Sequence, residues 1–109
     1  MSESNFVTAA DRVMDRIEDV LGDLDPSRID VERPAAGVLT MSFAGAGKCV
    51  LNTQKPMAQL WLAYGATAWH FSQDAKSGQW HDVRRPELEL YAVITEVVRG
   101  ASGVAVRWA

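Results

Sequence analysis

Apolar residues recur every three or four positions near the start of the chain: Phe6, Ala10, Val13, Ile17, Leu21 and Leu24. That spacing lays one buried stripe along an amphipathic helix over residues 5 to about 23. Gly22 and Pro26 mark its end. Beyond residue 28 the period changes to two. "RIDVE" alternates Ile29 and Val31 with polar positions, and "GVLTMSF" is rich in β-formers. "AGAG" then predicts a four-residue hairpin turn, with "KCVLNT" as the return strand. "QLWLAY", "TAWHFS" and "QWHDV" predict three more strands, the last two joined by the turn "QDAKSG". Connections this short favour antiparallel pairing. The helical period returns in "RRPELELYAVITEVVRG", where Leu90, Tyr91, Ile94, Val97 and Val98 line one face. Pro86 fits the first helical position, Glu87 and Glu89 suit the positive end of the dipole, and Gly100 is the expected stop. The tail "SGVAVRWA" is either a last short strand or a cover over the core.

Helix, a run of antiparallel strands, then helix is an α+β order. Both helices pack on one sheet face and the opposite face meets water. A chain of 109 residues suits a single domain, residues 1–109, with one hydrophobic core. No repeat or low-complexity tract interrupts it. No apolar run approaches the roughly 20 residues that span a bilayer, so a membrane partner is not expected. A net charge of −3 gives no reason to expect nucleic acid. The start, "MSESNFVTAADR", lacks the basic and apolar segments of a secretory signal, and its Glu3 and Asp11 are unlike a transit peptide. With one cysteine, no internal disulfide framework is available, and the chain reads as cytoplasmic.

The overall charge hides an asymmetry. Residues 1–32 carry nine acids against three bases, whereas residues 33–109 carry five acids against eight bases. Asp11, Asp15, Glu18 and Asp19 cluster opposite the apolar stripe of the first helix. Like charges at these i,i+3 and i,i+4 spacings cost roughly 0.2–0.5 kcal/mol per pair. Arg12 and Arg16 are placed to offset part of this by pairing with Asp15 and Asp19. Asp23 and Asp25 sit at the negative end of the helix dipole, where a further anion is unfavourable. Asp30 and Glu32 follow on the first strand, opposite Ile29 and Val31. Such a face is what a solubilising surface looks like. It is also a set of hard oxygen ligands, suited to divalent cations and ferric iron more than to copper or zinc. Without His or Cys in the ridge, affinity should be modest and selectivity poor.

Other chemistry-bearing residues read more plainly. Cys49 fits a small buried hydrophobe, since no nucleophile motif surrounds it. His70 and His81 match no metal spacing and read as structural or surface residues. "AGAGK" lacks the full phosphate-loop pattern and joins two strands. Trp69 and Trp80 fit packing roles. Trp61 differs. If Leu60 and Leu62 face the core, alternation points Trp61 the other way. It either packs on a neighbour, lies under the tail, or anchors a partner, as tryptophan often does at interface hot spots. Asn52 and Gln54 share a face on the preceding strand, and with Gln59 they give that aromatic a polar setting.

"LNTQKPMAQLWLA" resembles the signature of the frataxin family, N-x-Q-x-P-x-x-Q followed by a tryptophan between apolar residues. Asn52, Gln54, Pro56, Gln59 and Trp61 all match. "ADRVMDRIEDVLGDLD" is similar to the family's acidic first helix, "GVLTMSF" to its central hairpin strand, and "WHFS" with "GQWHD" to its later strands. The resemblance covers nearly the whole chain and points to the bacterial branch. It implies a frataxin-like α/β sandwich with two helices on one face of an antiparallel sheet. It also implies a non-enzymatic accessory protein of iron–sulfur cluster assembly. Such a protein weakly binds ferrous and ferric iron (Fe2+/Fe3+) through Asp11, Asp15, Glu18, Asp19, Asp23, Asp25, Asp30 and Glu32. It implies docking to the cysteine desulfurase, near the scaffold protein, through Asn52, Gln54, Gln59 and Trp61. A monomer is expected, with iron-dependent oligomers as the alternative. Gly22 and Arg28 stand where bacterial relatives often carry more acid, so less iron than is usual for the family is expected here.

Two readings use the same acids. In one the protein delivers iron; in the other its ridge docks on a basic patch of the desulfurase and modulates its rate, with iron secondary. A ferroxidase or iron-storage reading ranks last, since no paired Glu-x-x-His di-iron motif is present.

Overall fold

The structure, a computed structural model, describes residues 2–108. Helix α1 spans Glu3–Gly22. Ser2 caps it, its Oγ accepting from the Asn5 amide at 3.1 Å. Phe6, Ala10, Val13, Ile17 and Leu21 form its buried stripe, as the periodicity predicts; Met14 joins them, and Leu24 packs partly against the core beyond its end.

Six strands follow: β1 (Ile29–Ala35), β2 (Val38–Phe43), β3 (Gly47–Gln54), β4 (Gln59–Tyr64), β5 (Thr67–Gln73) and β6 (Trp80–Asp82). They form one antiparallel sheet in sequence order. Each hairpin is short, so each strand pairs with the one just made. The β1–β2 turn needs Gly37, whose φ is +77°. A Cβ there would also lie 2.6 Å from Thr53 Oγ1. The "AGAG" turn is one residue shorter than expected, because Phe43 already pairs with Gly47. Pro56 sits in a 3-10 turn, Lys55–Met57, between β3 and β4, where its missing N–H costs no ladder bond.

Helix α2 spans Leu90–Ser102, four residues later than Pro86 suggests. The reason lies in the preceding segment. Asp82, 5% exposed, accepts from the amides of Arg84 and Arg85, both at 2.8 Å. The Asp82 amide donates to Leu88 O at 3.0 Å, and Glu89 bridges to His81. Residues 84–89 are therefore held against the end of β6 and cannot wind. Glu89 instead caps the helix, accepting from the amides of Tyr91 (3.0 Å) and Ala92 (3.1 Å). Gly100 lies inside the helix. The stop is Gly103, at φ +75°, whose amide donates to Arg99 O.

Both helices cover the sheet face that carries Leu39, Met41, Phe43, Cys49, Leu51, Leu60, Leu62, Phe71 and Trp80. The tail takes the second of its two readings. Val106 is buried, and Trp108 meets Tyr91 at 4.7 Å between ring centroids and donates from Nε1 to Thr95 Oγ1 at 2.7 Å. Arg16 on α1 donates to the Trp108 carbonyl. The tail thus closes the cleft between the helices. Among the described residues no helix is long and apolar enough to cross a membrane.

Candidate functional site

Two surfaces carry the sequence-predicted residues. The first is the acidic side of α1. Asp11, Asp15 and Glu18 rise together along one edge of the helix and converge on a single cation, Arg33 of β1. Its Nη1 lies 2.6 Å from Asp15 Oδ1 and 2.9 Å from Glu18 Oε1, and its Nη2 lies 3.5 Å from Asp11 Oδ1. The hydrogen bond that Arg33 donates to Glu18 acts first in raising the guanidinium above the ordinary arginine range, with Asp15 adding to it against partial burial.

Neither of the pairs expected along the helix forms. Arg16 turns to the tail and lies 4.9 Å over the Tyr91 ring. Arg12 lines a groove with Trp80, Glu89 and Tyr91. The signal for Arg33 lay in its position. It shares the parity of Ile29 and Val31, so it points to the helix side of the edge strand. The β1–β2 register slips between Glu32 and Ala35, where Pro34 has no N–H to give. There the long side chain can run along the sheet margin and lift its head to α1.

The remaining predicted ligands lie elsewhere along the same side. Asp19 and Asp23 border a cleft with Val20, Leu24, Ala105 and Arg107. Asp25 is drawn into its own turn. It accepts from the Ser27 hydroxyl (2.7 Å) and amide (2.9 Å) and pairs with Arg28 at 3.8 Å. The Ser27 hydroxyl contributes most to holding its pKa below the usual range. Asp30 and Glu32 stand exposed on the outer side of β1, opposite Ser42 and Thr40 of β2. Among the described residues no three His, Cys, Asp or Glu side chains are arranged to hold a metal ion. The donor chemistry is that of hard carboxylate oxygens on a surface, which suits weakly held oxophilic cations.

The second surface is the outer face of the sheet. Asn52 pairs with Trp61, and Gln54 with Gln59, so all four predicted residues meet across β3 and β4. Trp61 points away from the core, as alternation requires. It is half-buried rather than bare, because it stacks on His70 at 4.1 Å between ring centroids and 9° between planes. Its Nε1 donates to Gln59 Oε1 at 2.8 Å. His70 therefore belongs to this surface, although its sequence spacing matched no motif. The signal was the two-residue turn at Gly65 and Ala66, which sets Tyr64 against Thr67 and so Trp61 against His70. Stack and hydrogen bond fix the indole in place, presenting a rigid aromatic edge among amides.

The other candidates settle quietly. Cys49 is fully buried, and burial pushes its thiol up to about 12, which leaves no thiolate for chemistry near neutral pH. Trp80 is buried in the core against Phe6, and Trp69 packs partly against it. His81 places Nε2 3.2 Å from Gln79 Oε1.

Known proteins match both the sequence and this fold. The Frataxin-like domain matches residues 1–104. The iron-sulfur cluster assembly protein CyaY of Janthinobacterium sp. (strain Marseille) is 38% identical over 97% of this chain and 95% of its own length. CyaY of Ralstonia pickettii (strain 12J) is 35% identical over 97% of this chain and 93% of its own length. Among solved structures, frataxin from Psychromonas ingrahamii superposes with a TM-score of 0.90 at 25% identity, covering 100% of this chain and 99% of that one. The trimeric frataxin of Saccharomyces cerevisiae, complexed with ferrous iron, superposes with a TM-score of 0.69 at 30% identity, covering 95% of this chain and 88% of that one. With that domain spanning nearly its whole length on two helices over a six-stranded antiparallel sheet, the chain belongs to the frataxin family.

Proposed function

We propose that this chain is an iron-binding accessory protein of iron–sulfur cluster assembly. It holds Fe2+ or Fe3+ weakly on the carboxylates of α1 and β1 and docks on the cysteine desulfurase beside the scaffold protein. Its close relatives named for that process support the assignment. The observation that carries it is the α1 face itself. Asp15, Glu18 and Asp11 gather there around the Arg33 guanidinium at 2.6, 2.9 and 3.5 Å, and the acids beyond them are hard oxygen donors. Like charges at these spacings are unfavourable for the helix alone, and one arginine answers only part of the ridge, so a cationic ligand or partner gives the rest a reason. Asp19, Asp23, Asp25, Asp30 and Glu32 extend the negative potential along the same end of the molecule. Iron is cargo in this reading and passes through sites that release it.

The docking surface is the outer sheet face at Asn52, Gln54, Gln59 and Trp61. The indole is already immobilised by His70 and Gln59, so little entropy is lost when a partner covers it. This pre-ordering also favours a second reading, in which the protein regulates the desulfurase and iron is secondary. In both readings the protein acts in the cytoplasm as a monomer, and oligomers would form only with iron.

The test is the initial rate of cluster formation by desulfurase and scaffold under anaerobic conditions with limiting ferrous iron. Iron delivery predicts a faster rate with this protein, lost when Asp19 and Asp23 are replaced by Asn. Regulation predicts a slower rate, insensitive to added iron and relieved by Trp61→Ala. No change of rate in either direction overturns both.

A further inference from the structure

Strand β5 is longer than the strand that covers it. β6 ends at Asp82, opposite Phe71. One more bond continues its line, from the Val83 amide to His70 O at 2.8 Å. The chain then leaves the sheet, because Asp82 captures the amides of Arg84 and Arg85, both at 2.8 Å. The two residues that would have continued the ladder are turned away, and Thr67 and Ala68 are left exposed. Along an antiparallel strand every second residue turns its N–H and C=O to the same neighbour. His70 turns both to the β6 side, accepting from Val83 and donating to Asp82 Oδ2 at 3.1 Å. Ala68, two residues earlier, therefore presents its N–H and C=O to the open side, and no described residue bonds them. Beside this edge, on the helix side, lies a groove of about 420 Å³ walled by Trp69, Leu88, Ala92, Val93 and Val97. Its rim carries Glu87, Glu89 and Glu96 against Arg85. Glu89 is held in the α2 cap and Glu96 pairs with Arg99 at 2.6 Å, whereas Glu87 makes no ion pair among the described residues.

We propose that the bare edge of β5 at Ala68, with the groove beside it, takes up an extended segment of another protein as a short antiparallel strand. That segment carries an apolar residue and, two places along, a lysine or arginine. The added strand continues the line that Val83 begins, and its residue opposite Ala68 exchanges both backbone bonds. Its neighbour opposite Trp69 has the parity of Trp69, so its side chain enters the groove between the sheet edge and α2, and an apolar side chain suits those walls. The residue two places along shares that face, where a base meets Glu87 and an acidic rim. A helix in the same groove would leave the Ala68 amide and carbonyl unpaired, because its own backbone groups are already bonded. A second copy of this chain fits poorly. Its other edge strand, β1, brings Asp30 and Glu32 to an acidic rim, and Pro34 has no N–H to donate. This edge is apart from the carboxylates of α1, and the proposal does not depend on iron.

The experiment is an NMR titration of the whole chain with the peptide acetyl-Lys-Thr-Leu-Thr-Lys-amide, carried to millimolar concentration because the contact is short. Three altered peptides accompany it: leucine replaced by alanine, both lysines replaced by glutamate, and the threonine after leucine N-methylated. Amide shifts should centre on Ala68, Trp69, Ala92 and Val97, and hydrogen exchange at Ala68 should slow. N-methylation removes the N–H that would meet Ala68 O and should weaken binding about fivefold. Loss of the leucine side chain should weaken it roughly tenfold. The glutamate peptide should bind more weakly, by a margin that shrinks as salt is added. Ala68→Pro removes the donor on the open side and should match the effect of N-methylation, since that N–H takes no part in the pairing with β4. The N-methylated peptide gives the same test with the protein unaltered. Equal binding of the parent and N-methylated peptides, with shifts confined to α2, overturns strand addition. Concentration-dependent shifts at Ala68 without peptide mean that a second copy takes the edge, and overturn the proposed partner. Absence of binding overturns the proposal as a whole.

Discussion

Asp82 shows how much one side chain can decide. Burial pushes its carboxyl pKa up, but the amides of Arg85, Arg84 and His70 outweigh that and hold it below the usual range. Its folded pKa is depressed, so the stability it contributes is present above the unfolded value and lost as pH falls through the folded one. Acid unfolding should therefore contain a step that Asp82→Asn abolishes. Asp82→Ala leaves three amides without their acceptor and should destabilise by about 1–3 kcal/mol in urea unfolding at pH 7. The sequence showed Asp82 only as part of a strand. Its role depends on a chain reversal that brings residues 84–89 back over it. Cys49 is the opposite case. With no nucleophile motif around it in "KCVLN", it read as a small buried hydrophobe, and burial is what the fold gives it. Trp61 lies between these cases. Alternation fixed its side of the sheet, but the His70 stack that half-covers it needed the β4–β5 register.

Among the elements, those set by local periodicity were legible and their ends less so. The stripe of α1 and the alternation of the strands are nearest-neighbour signals, repeated often enough to outvote exceptions. Helix α2 was legible in its face but not in its start. Pro86 suits a first helical turn, yet the bridge from His81 to Glu89 claims that backbone first. The β1–β2 hairpin gives a sharper test. Gly37→Ala forces a left-handed backbone on an alanine and sets a Cβ against Thr53 Oγ1, and should cost about 1–2 kcal/mol. Adding Thr53→Ala should recover only the steric part, so a double-mutant cycle in denaturant separates the two. The tail behaves as part of the core although it forms no strand. Trp108→Ala removes its contacts with Tyr91 and Thr95 and should lower stability by roughly 1–3 kcal/mol. Arg16 should then show a more mobile side chain by NMR.

For the whole molecule, charge is separated from apolar contact. The acids of residues 1–32 lie along α1, β1 and the turn between them, while the aromatic surface proposed for docking lies on the outer face of β3, β4 and β5. At physiological ionic strength fields fade over about 8 Å, so the ridge speaks to a partner only near contact. If the protein docks on the desulfurase as proposed, raising NaCl from about 50 to 300 mM should weaken that association, chiefly by slowing the on-rate. The same salt should move Tm little, because the ion pairs within the fold are largely exposed. Surface plasmon resonance and a thermal melt over one salt series separate the effects. Equal sensitivity of both would mean that the ridge supports the fold rather than a contact.

By itself the sequence determined the layers of this protein, the face each strand buries, and the family to which it belongs. Those depend on periodicity and on a signature carried within one hairpin, and both are local. Tertiary structure alone decided that Arg33 would sit among Asp11, Asp15 and Glu18, that His70 would hold Trp61, and that the tail would close the helix pair. Each joins residues whose meeting depends on register, a bulge, or the path of a segment without regular structure. A shift of one residue in any of these turns a side chain to another face. The acidic pattern left a solubilising face and a cation site both open; which of its carboxylates already pair with a base was settled only by the folded chain.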